Sequence, residues 1–551
     1  MHAAGYPDWL ASLLARRGVT TSGEAQAFLH PSLDQLHSPH ELHGMKAAVE
    51  RLLAARSRQE KVALIGDYDV DGISGTALLQ AVLKACGIET EAIIPHRKKD
   101  GYGFQTVHVE RAVEKGCALV ITIDCGTTSA AAATAAITLG LDVVVTDHHL
   151  PGGDMPVGIL QINPRQEECK YPFDDLSGAG IALKLALAFA EACSRPIDPR
   201  LLLRIACLGT IADLVPLLGE NRVIAKLGLE ELERTQSTGL KALIEVSRIK
   251  PPFSTEDVGY RLGPRLNAPG RLASAEQSLE LLLSRDGERS RQLALELDAS
   301  NRERQSWEKQ VSEEAAKLFE AEDDSPILIG WSPAWHRGVV GIAAGRLAKE
   351  WNRPVILFAV EGENAVGSGR SAAGIHLHEF LSRWRADLPR FGGHAQAIGM
   401  TVKSSDLPKW SEAWKTGAAE WLDKVRVKEL EYEVELPISQ INFQTFKQLQ
   451  SLEPFGQGNP KPLIRTRESL RLLGSPRLFG NGHISAQAIS SVDRSRIKMV
   501  GWDWQKRLSQ LQGDFEALGS LDLDRYSGDI VFRLIDVRPA DHSSRQTSNR
   551  S

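Results

Sequence analysis

No two cysteines of this chain stand in a C-x-x-C pair, which argues against a zinc knuckle. The six present (86, 117, 125, 169, 193 and 207) all fall in the first 207 residues, several in apolar surroundings. Reduced, buried thiols of a cytosolic protein are the simplest reading. Positive charge is also short: the formal net charge is −5. A polyanion would therefore have to meet a local basic patch or a metal site. No apolar run reaches the ~18 residues of a membrane helix. The opening MHAAGYPDWLASLLARRG lacks the cationic and apolar segments of a signal peptide. A cytoplasmic chain with no membrane attachment is expected. What is present is 42% hydrophobic and 25% charged residues in a chain of 551. That is a soluble globular composition, long enough for roughly three or four domains.

The most informative stretch runs from Lys61 to Ser74, KVALIGDYDVDGIS. Val62 to Ile65 is an apolar run of the kind a strand buried on both faces carries. Asp67, Asp69 and Asp71 follow at alternate positions. From Gly75 to Cys86 apolar residues recur at helical spacing, with Ser74 as the expected N-cap. The acids thus sit at the carboxyl edge of an α/β sheet, where such folds bind ligands. Crowded carboxylates raise one another's pKa, and hard divalent cations remove that cost. Alone, the motif reads equally as a solvated acidic turn.

The continuation decides between these. Strands are expected at 62–66, 91–94, 118–123 and 142–146, and helices at 74–86, 106–115 and 127–139, an alternation that predicts a parallel sheet. ALVITIDCG delivers Asp124 to the same edge, and DVVVTDHH delivers Asp147, His148 and His149. Imidazole and carboxylate together suit Mn²⁺, Mg²⁺ or a similar ion.

GDYDVDG, IDCG, TDHH and, at 209–217, GTIADLVPL together resemble the DHH phosphoesterase superfamily. The resemblance implies two divalent metal ions, Mn²⁺ or Mg²⁺, held by Asp69, Asp71, Asp124, His148 and Asp213, with Asp124 as the bridge. It implies that Asp67 is a ligand or supports one, that Asp147 orients the site, and that His149 faces the scissile phosphate. Asp213 rests on the resemblance alone, since its sequence context reads as an ordinary helix-end acid.

Further along, DVGYRLGPRLNAPGRL (257–272) carries three arginines and one acid. Gly263, Pro264, Pro269 and Gly270 are expected to forbid a regular helix there. An arginine-bearing loop suits phosphate, which guanidinium binds bidentately. The segment resembles one that closes over phosphate in the RecJ nucleases, implicating Arg265, Asn267 and Arg271. From Ser274 to about Ala321 the pattern predicts one long helix with a solvated face, a spacer between domains. A second α/β unit comes next, with strands expected at 326–330, 354–359 and 365–369. Its polar clusters hold His336 and Arg337, then Arg370 and Ser371, then Gly392, Gly393 and His394, the last expected as a turn ahead of a strand. Together they resemble the DHHA1 domain and imply contacts to a nucleic-acid strand.

From about 429 to 540, short alternating runs between Gly and Asn turns predict antiparallel β-structure. Arg465, Arg467, Arg471, Arg477, Arg494, Arg496 and Lys498 give it a basic excess, and Phe479, Trp502 and Trp504 could stack on bases, as in an OB-like barrel. The tryptophans read equally well as core. The expected order is a helical cap (1–57) packing on the neighbouring domain, a catalytic DHH domain (58–273), a connecting helix (274–322), a DHHA1 domain (323–426), an OB-like domain (427–540) and a disordered tail (541–551). The fold class is α/β, two α/β domains plus a C-terminal β-barrel. This order resembles the family of single-strand-DNA-specific 5′→3′ exonucleases of recombination and repair. The resemblance implies single-stranded DNA as substrate, a single-strand-binding protein and a helicase as partners, and no membrane; a monomer is expected. A phosphodiesterase for short RNA or cyclic dinucleotides, or a non-catalytic replication scaffold, are the other readings.

Overall fold

The structure is a computed structural model. It describes residues 5–540 apart from 97–99, 102, 154, 273, 321–324, 372–374, 389, 423–429, 481 and 525–526. The expected disordered tail lies outside the described residues. The chain forms two compact units: Pro39–Asp213 with Glu231–Glu429, and Met1–Ser38 with Leu214–Glu230 and Leu430–Ser551. The first 57 residues, expected as one cap, divide between them.

The first unit opens with strands β1 (Lys61–Gly66), β2 (Thr90–Ile93), β3 (Cys117–Ile123), β4 (Asp142–Thr146) and β5 (Leu160–Ile162) in the order β2-β1-β3-β4-β5. All the pairings are parallel. Alternate strand residues Ala63, Ile65, Val120, Val143 and Val145 pack with Val109, Ala112, Ala132 and Ala136 of helices Thr106–Glu114 and Ala130–Thr138. Burial on both faces is why these strands read as near-continuous apolar runs. Six helices matter below: α1 (Val70–Ala85), α2 (Gly178–Ala192), α3 (Arg200–Ala212), α4 (Thr238–Ser247), α5 (Gly263–Leu272) and α6 (Gly287–Glu320).

Three local expectations are corrected. Helix α1 starts at Val70, not Ser74, because the Asp69 carboxylate caps it, accepting from Asp71 N–H at 3.0 Å and Gly72 N–H at 3.2 Å. Residues 258–272 are helical, not a loop: a widened π-turn, Val258–Leu262, leads into α5, which contains Pro269. Pro264 sits in the first turn of α5, where its missing N–H costs little, and burial of Leu262, Leu266 and Ala268 offsets Pro269. The single long helix is two, Glu276–Leu283 and α6, broken at Asp286, whose Oδ1 accepts from Arg289 N–H at 2.9 Å. Helix α6 also buries Asp298, Asn301 and Arg304, so it is no mere solvated spacer.

The second sheet of this unit holds β6 (Leu328–Ser332), β7 (Val355–Glu361), β8 (Asn364–Arg370), β9 (Arg390–His394) and β10 (Ala397–Lys403) in the order β6-β7-β8-β10-β9. Only β6 and β7 run parallel. Phe391 to His394, expected to be a turn, lies within edge strand β9.

The second unit carries β11 (Val434–Leu436), β12 (Ile464–Thr466), β13 (Leu470–Leu472), β14 (Arg477–Phe479), β15 (His483–Ser490), β16 (Arg496–Gly501), β17 (Phe515–Leu523) and β18 (Ile530–Pro539). The path β17-β13-β15-β16-β18 closes on itself through β17–β18 pairing, giving an OB-like barrel. Its core is shared with the N-terminal helices: Leu10, Leu13, Leu14 and Phe28 cluster with Leu470, Met499, Trp504, Phe515 and Phe532. Arg222 is buried there, its guanidinium donating to the carbonyls of Phe28 at 2.8 Å, Leu452 at 2.9 Å and Glu453 at 2.8 Å.

Candidate active site

The strand ends of the parallel sheet converge. Asp67 follows β1, Asp124 follows β3, and Asp147, His148 and His149 follow β4. Adjacent parallel strands in register place these turns side by side. Asp124 adopts φ +62°, a left-handed conformation that short polar side chains tolerate. Its N–H donates to Thr146 O at 3.0 Å, which anchors the turn to β4. Asp71 projects from the first turn of α1. Its two carboxylate oxygens accept from Gly178 N–H at 2.7 Å and Ala179 N–H at 2.9 Å, at the positive end of α2. Asp213 caps the C-terminus of α3.

These groups surround His148. Its Nε2 lies 3.1 Å from Asp124 Oδ1, 3.5 Å from Asp213 Oδ2 and 3.9 Å from Asp71 Oδ2. Asp213, the weakest of the expected ligands on sequence grounds, is therefore at the centre. Among the described residues, three sets of side chains offer metal-ligand atoms within 4.8 Å of one another: Asp67–Asp69–Asp124, Asp71–His148–Asp213 and Asp124–His148–His149. Asp124 and His148 each belong to two of them. Asp124 Oδ1 and both ring nitrogens of His148 are buried and have no hydrogen-bond partner among the described residues, an arrangement that is costly without a ligand.

The electrostatics point the same way. Burial, then repulsion from Asp69, pushes Asp71 up to about 7 despite the two N–H donors. Burial and the Asp71 and Asp69 charges raise Asp213 to about 8. Burial and four neighbouring aspartates hold Asp124 well above the usual carboxylate range. Burial and the neighbouring His149 lower His148 to about 4, so its ring is neutral and keeps a lone pair for a ligand. This donor set of oxygen and imidazole nitrogen fits divalent cations such as Mn²⁺ and Mg²⁺.

His149 is different. Burial alone would lower it, but the bond from Nδ1 to Asp147 Oδ1 at 2.7 Å raises it to about 9. Asp147 is itself fixed, accepting from the N–H groups of Thr127, His148 and His149 at 2.9, 2.8 and 3.1 Å. Burial would raise Asp147, but its bond to His149 outweighs that and holds it below its ordinary value. The His149 side chain is 37% exposed, open enough to meet a substrate.

Several supporting residues escaped the sequence reading. A Cβ at Gly178 would stand 2.5 Å from Asp124 Cβ, and one at Gly209 would stand 2.4 Å from Asp71 Oδ1. Buried Asn163, just past β5, donates to Thr127 Oγ1 at 3.0 Å and His149 O at 2.9 Å. Only its place at a further strand end could have signalled this.

The expected phosphate and strand contacts fare unevenly. Arg265 already has an acid partner: its Nε and Nη2 meet Asp298 Oδ1 at 2.9 and 2.8 Å, an acid that packing of α5 on α6 brings from 33 residues downstream. Asn267 and Arg271 are half-buried. A Cβ at Gly338 would stand 2.5 Å from the Arg271 carbonyl, so the end of α5 abuts the 336–338 segment. There His336 Nδ1 accepts from Gly338 N–H at 3.2 Å and Arg337 pairs with Glu361 at 3.4 Å. Arg370 donates to Gly369 O at 2.8 Å and Ser371 Oγ to Ile375 O at 2.7 Å. Gly392, Gly393 and His394 are exposed.

In the barrel, Trp504 is 2% exposed and belongs to the core, which removes it from the stacking candidates. Trp502 is 48% exposed and meets His483 and Phe479 edge-on, with ring centroids 4.6 and 5.8 Å away. The basic excess is smaller than expected. Arg465, Arg467, Arg471 and Lys498 are engaged by Glu516, Glu435, Asp514 and Asp524, while Arg477, Arg494 and Arg496 are exposed.

Comparison with known proteins matches three family models: the DHH family, N-terminal domain, at 61–210; the DHHA1 domain at 304–417; and the RecJ OB domain at 432–535. The single-stranded-DNA-specific exonuclease RecJ of Dickeya dadantii is 36% identical over 87% of this chain and 86% of its own length. That of Bacillus subtilis is 37% identical over 90% of this chain but 63% of its own length, so the chain spans just under two thirds of that relative. The crystal structure of RecJ from Thermus thermophilus in complex with Mn²⁺ superposes with a TM-score of 0.83 at 29% identity, covering 98% of this chain and 77% of that one. Its Mg²⁺ complex gives 0.78 at 27% identity, covering 98% and 76%. Among the described residues no helix is long and apolar enough to cross a membrane.

Proposed function

The chain belongs to the RecJ family of DHH phosphoesterases, and from that premise we propose that it is a metal-dependent exonuclease degrading single-stranded DNA from the 5′ end to 5′-mononucleotides. The observation that carries the reading is the cluster of Asp71, Asp124, His148 and Asp213, in which Asp124 Oδ1 and both ring nitrogens of His148 are buried without a hydrogen-bond partner among the described residues.

Asp67, Asp69, Asp71, Asp124, His148 and Asp213 would hold two divalent ions, with Asp124 between them. Such ions lower the pKa of bound water and offset charge on the attacking and leaving oxygens of a phosphodiester. The chain's own contribution is positional. The Gly178 and Ala179 N–H groups fix both oxygens of Asp71. Asp147 accepts a hydrogen bond from His149 Nδ1–H and leaves Nε2–H to donate to a phosphoryl oxygen, where charge grows in the transition state. Arg271 and the 336–338 segment would hold the strand's phosphates. Trp502 and Phe479 would receive bases, since aromatic rings hold single strands without regard to sequence. A single-strand-binding protein and a helicase as partners, a monomeric state and a cytoplasmic location complete the proposal.

The test is hydrolysis of a long single strand, the matching duplex and a cyclic dinucleotide, each with Mn²⁺ and with chelator. Metal-dependent loss of the single strand alone supports the reading. Preferential turnover of the dinucleotide would replace it with the phosphodiesterase reading.

A further inference from the structure

Between α4 and α6 lies a cavity of about 270 Å³ whose lining includes Glu245, Arg248, Arg291, Leu295, Asp298 and Arg302. It shares no residue with the carboxylate–histidine cluster. Of its lining acids, Asp298 is already neutralised twice, by Arg265 and by Arg302. Arg291 pairs with Glu288 at 2.7 Å, but on an exposed surface, where such a pair is worth little. Arg248 is exposed and caps the C-terminus of α4 at φ +53°. Its backbone carbonyl accepts from Arg261 Nη1 at 3.5 Å, while among the described residues no carboxylate pairs with its guanidinium. Four arginines (248, 265, 291, 302) thus stand against three acids (Glu245, Asp298, Glu288), a local positive excess in a chain of net charge −5. Leu295, 54% exposed, adds an apolar surface to the lining.

We propose that this cavity is a second nucleotide site, binding one nucleoside phosphate away from the metal centre. Two guanidiniums without buried acid partners, Arg248 and Arg291, supply bidentate donors for phosphate oxygens. Leu295 supplies contact for a sugar or base. The volume is near the lower end of small-molecule pockets, about 300 Å³, enough for a single nucleotide. Two sources share this chemistry: a free mononucleotide, the product class of the proposed reaction, and one residue of the DNA strand outside the scissile position. The binding itself is independent of the proposed reaction, which only suggests the source.

The test is titration of the full chain with dTMP by calorimetry in the presence of chelator, so that metal-dependent chemistry plays no part. The wild type should bind dTMP saturably, inorganic phosphate should compete, and thymidine should not bind. The double variant Arg248→Asn, Arg291→Gln should bind dTMP about tenfold or more weakly, since a charge-assisted hydrogen bond is worth ~1.5–3 kcal/mol. Asn suits the left-handed backbone at 248, and Arg248→Asn alone serves if the double variant does not fold. A thymidine oligonucleotide then assigns the source. An equal loss for the oligonucleotide places the site on the strand's path, and a loss confined to dTMP assigns it to free nucleotide. Absence of saturable dTMP binding by the wild type, or equal binding by the folded variant, would overturn the proposal.

Discussion

Asp147 and His149 form a pair in which one residue sets the chemistry of the other. Asp147→Asn should keep the acceptor for the Thr127 N–H but lose the charge that raises His149 to about 9. The His149 pKa, followed by NMR on metal-free protein, should then fall toward its ordinary value, and kcat should drop more than KM. An unchanged pKa would mean that Asp147 serves only the backbone. Asp124→Asn suits the left-handed φ of +62° and removes one of several crowded acids. It should abolish metal-dependent hydrolysis while leaving the metal-free thermal midpoint at or above that of the wild type. Wild-type turnover with saturating Mn²⁺ would remove Asp124 from its bridging role. At this scale the sequence was most readable where one residue's chemistry sufficed. Asp67, Asp124, Asp147 and His148 stood at strand ends whose apolar runs were unmistakable. Arg265 was not readable, because its partner Asp298 is 33 positions away and only packing of α5 against α6 reveals it.

Elements show a similar division. Strands β1, β3 and β4 came from hydrophobic runs alone, because burial on both faces leaves a strong compositional mark. The start of α1 did not, because a carboxylate that belongs to the acidic cluster also caps the helix. Nor did α5, where local glycine and proline signals were overridden by tertiary burial. The two tryptophans around the end of β16 are a direct test of such burial. Trp504→Ala should destabilise the barrel by about 3–5 kcal/mol, because the ring is 2% exposed, and should affect DNA affinity only through folding. Trp502→Ala should leave stability nearly unchanged and weaken single-strand binding by ~1–3 kcal/mol. Denaturant melts and a binding isotherm of both variants decide this, and the reverse pattern would exchange their roles. For α5, Arg265→Ala should cost about 1–3 kcal/mol of stability by leaving Asp298 one donor short. The salt dependence of DNA binding should be unaltered, and a shallower slope would restore Arg265 as a phosphate contact.

At the scale of the molecule, the acid cluster couples stability to pH and metal. Asp71 and Asp213 rise from 3.8 to about 7 and about 8 on folding. Between these limits the folded state binds more protons than the unfolded one, so metal-free stability should fall as pH rises from about 4 to about 8. Mn²⁺ should reverse the fall by replacing the protons, and calorimetric scans across that range with and without the ion check both signs. The order of chain segments was legible in outline, but the partnership of the first helices with the C-terminal barrel was not, since residues 10–29 and 470–534 share a core that no local pattern announces. Metal-dependent degradation of single strands from the 5′ end is the proposed activity, and its metal dependence rests on the cluster of Asp71, Asp124, His148 and Asp213. A time course with Mn²⁺ measures it, on one long single strand labelled at its 5′ end and on the same strand labelled at its 3′ end. The 5′ label should be released at once as mononucleotide, with 3′ label remaining in long fragments until late. Early release of 3′ label, internal fragments, or equal rates with chelator would contradict it.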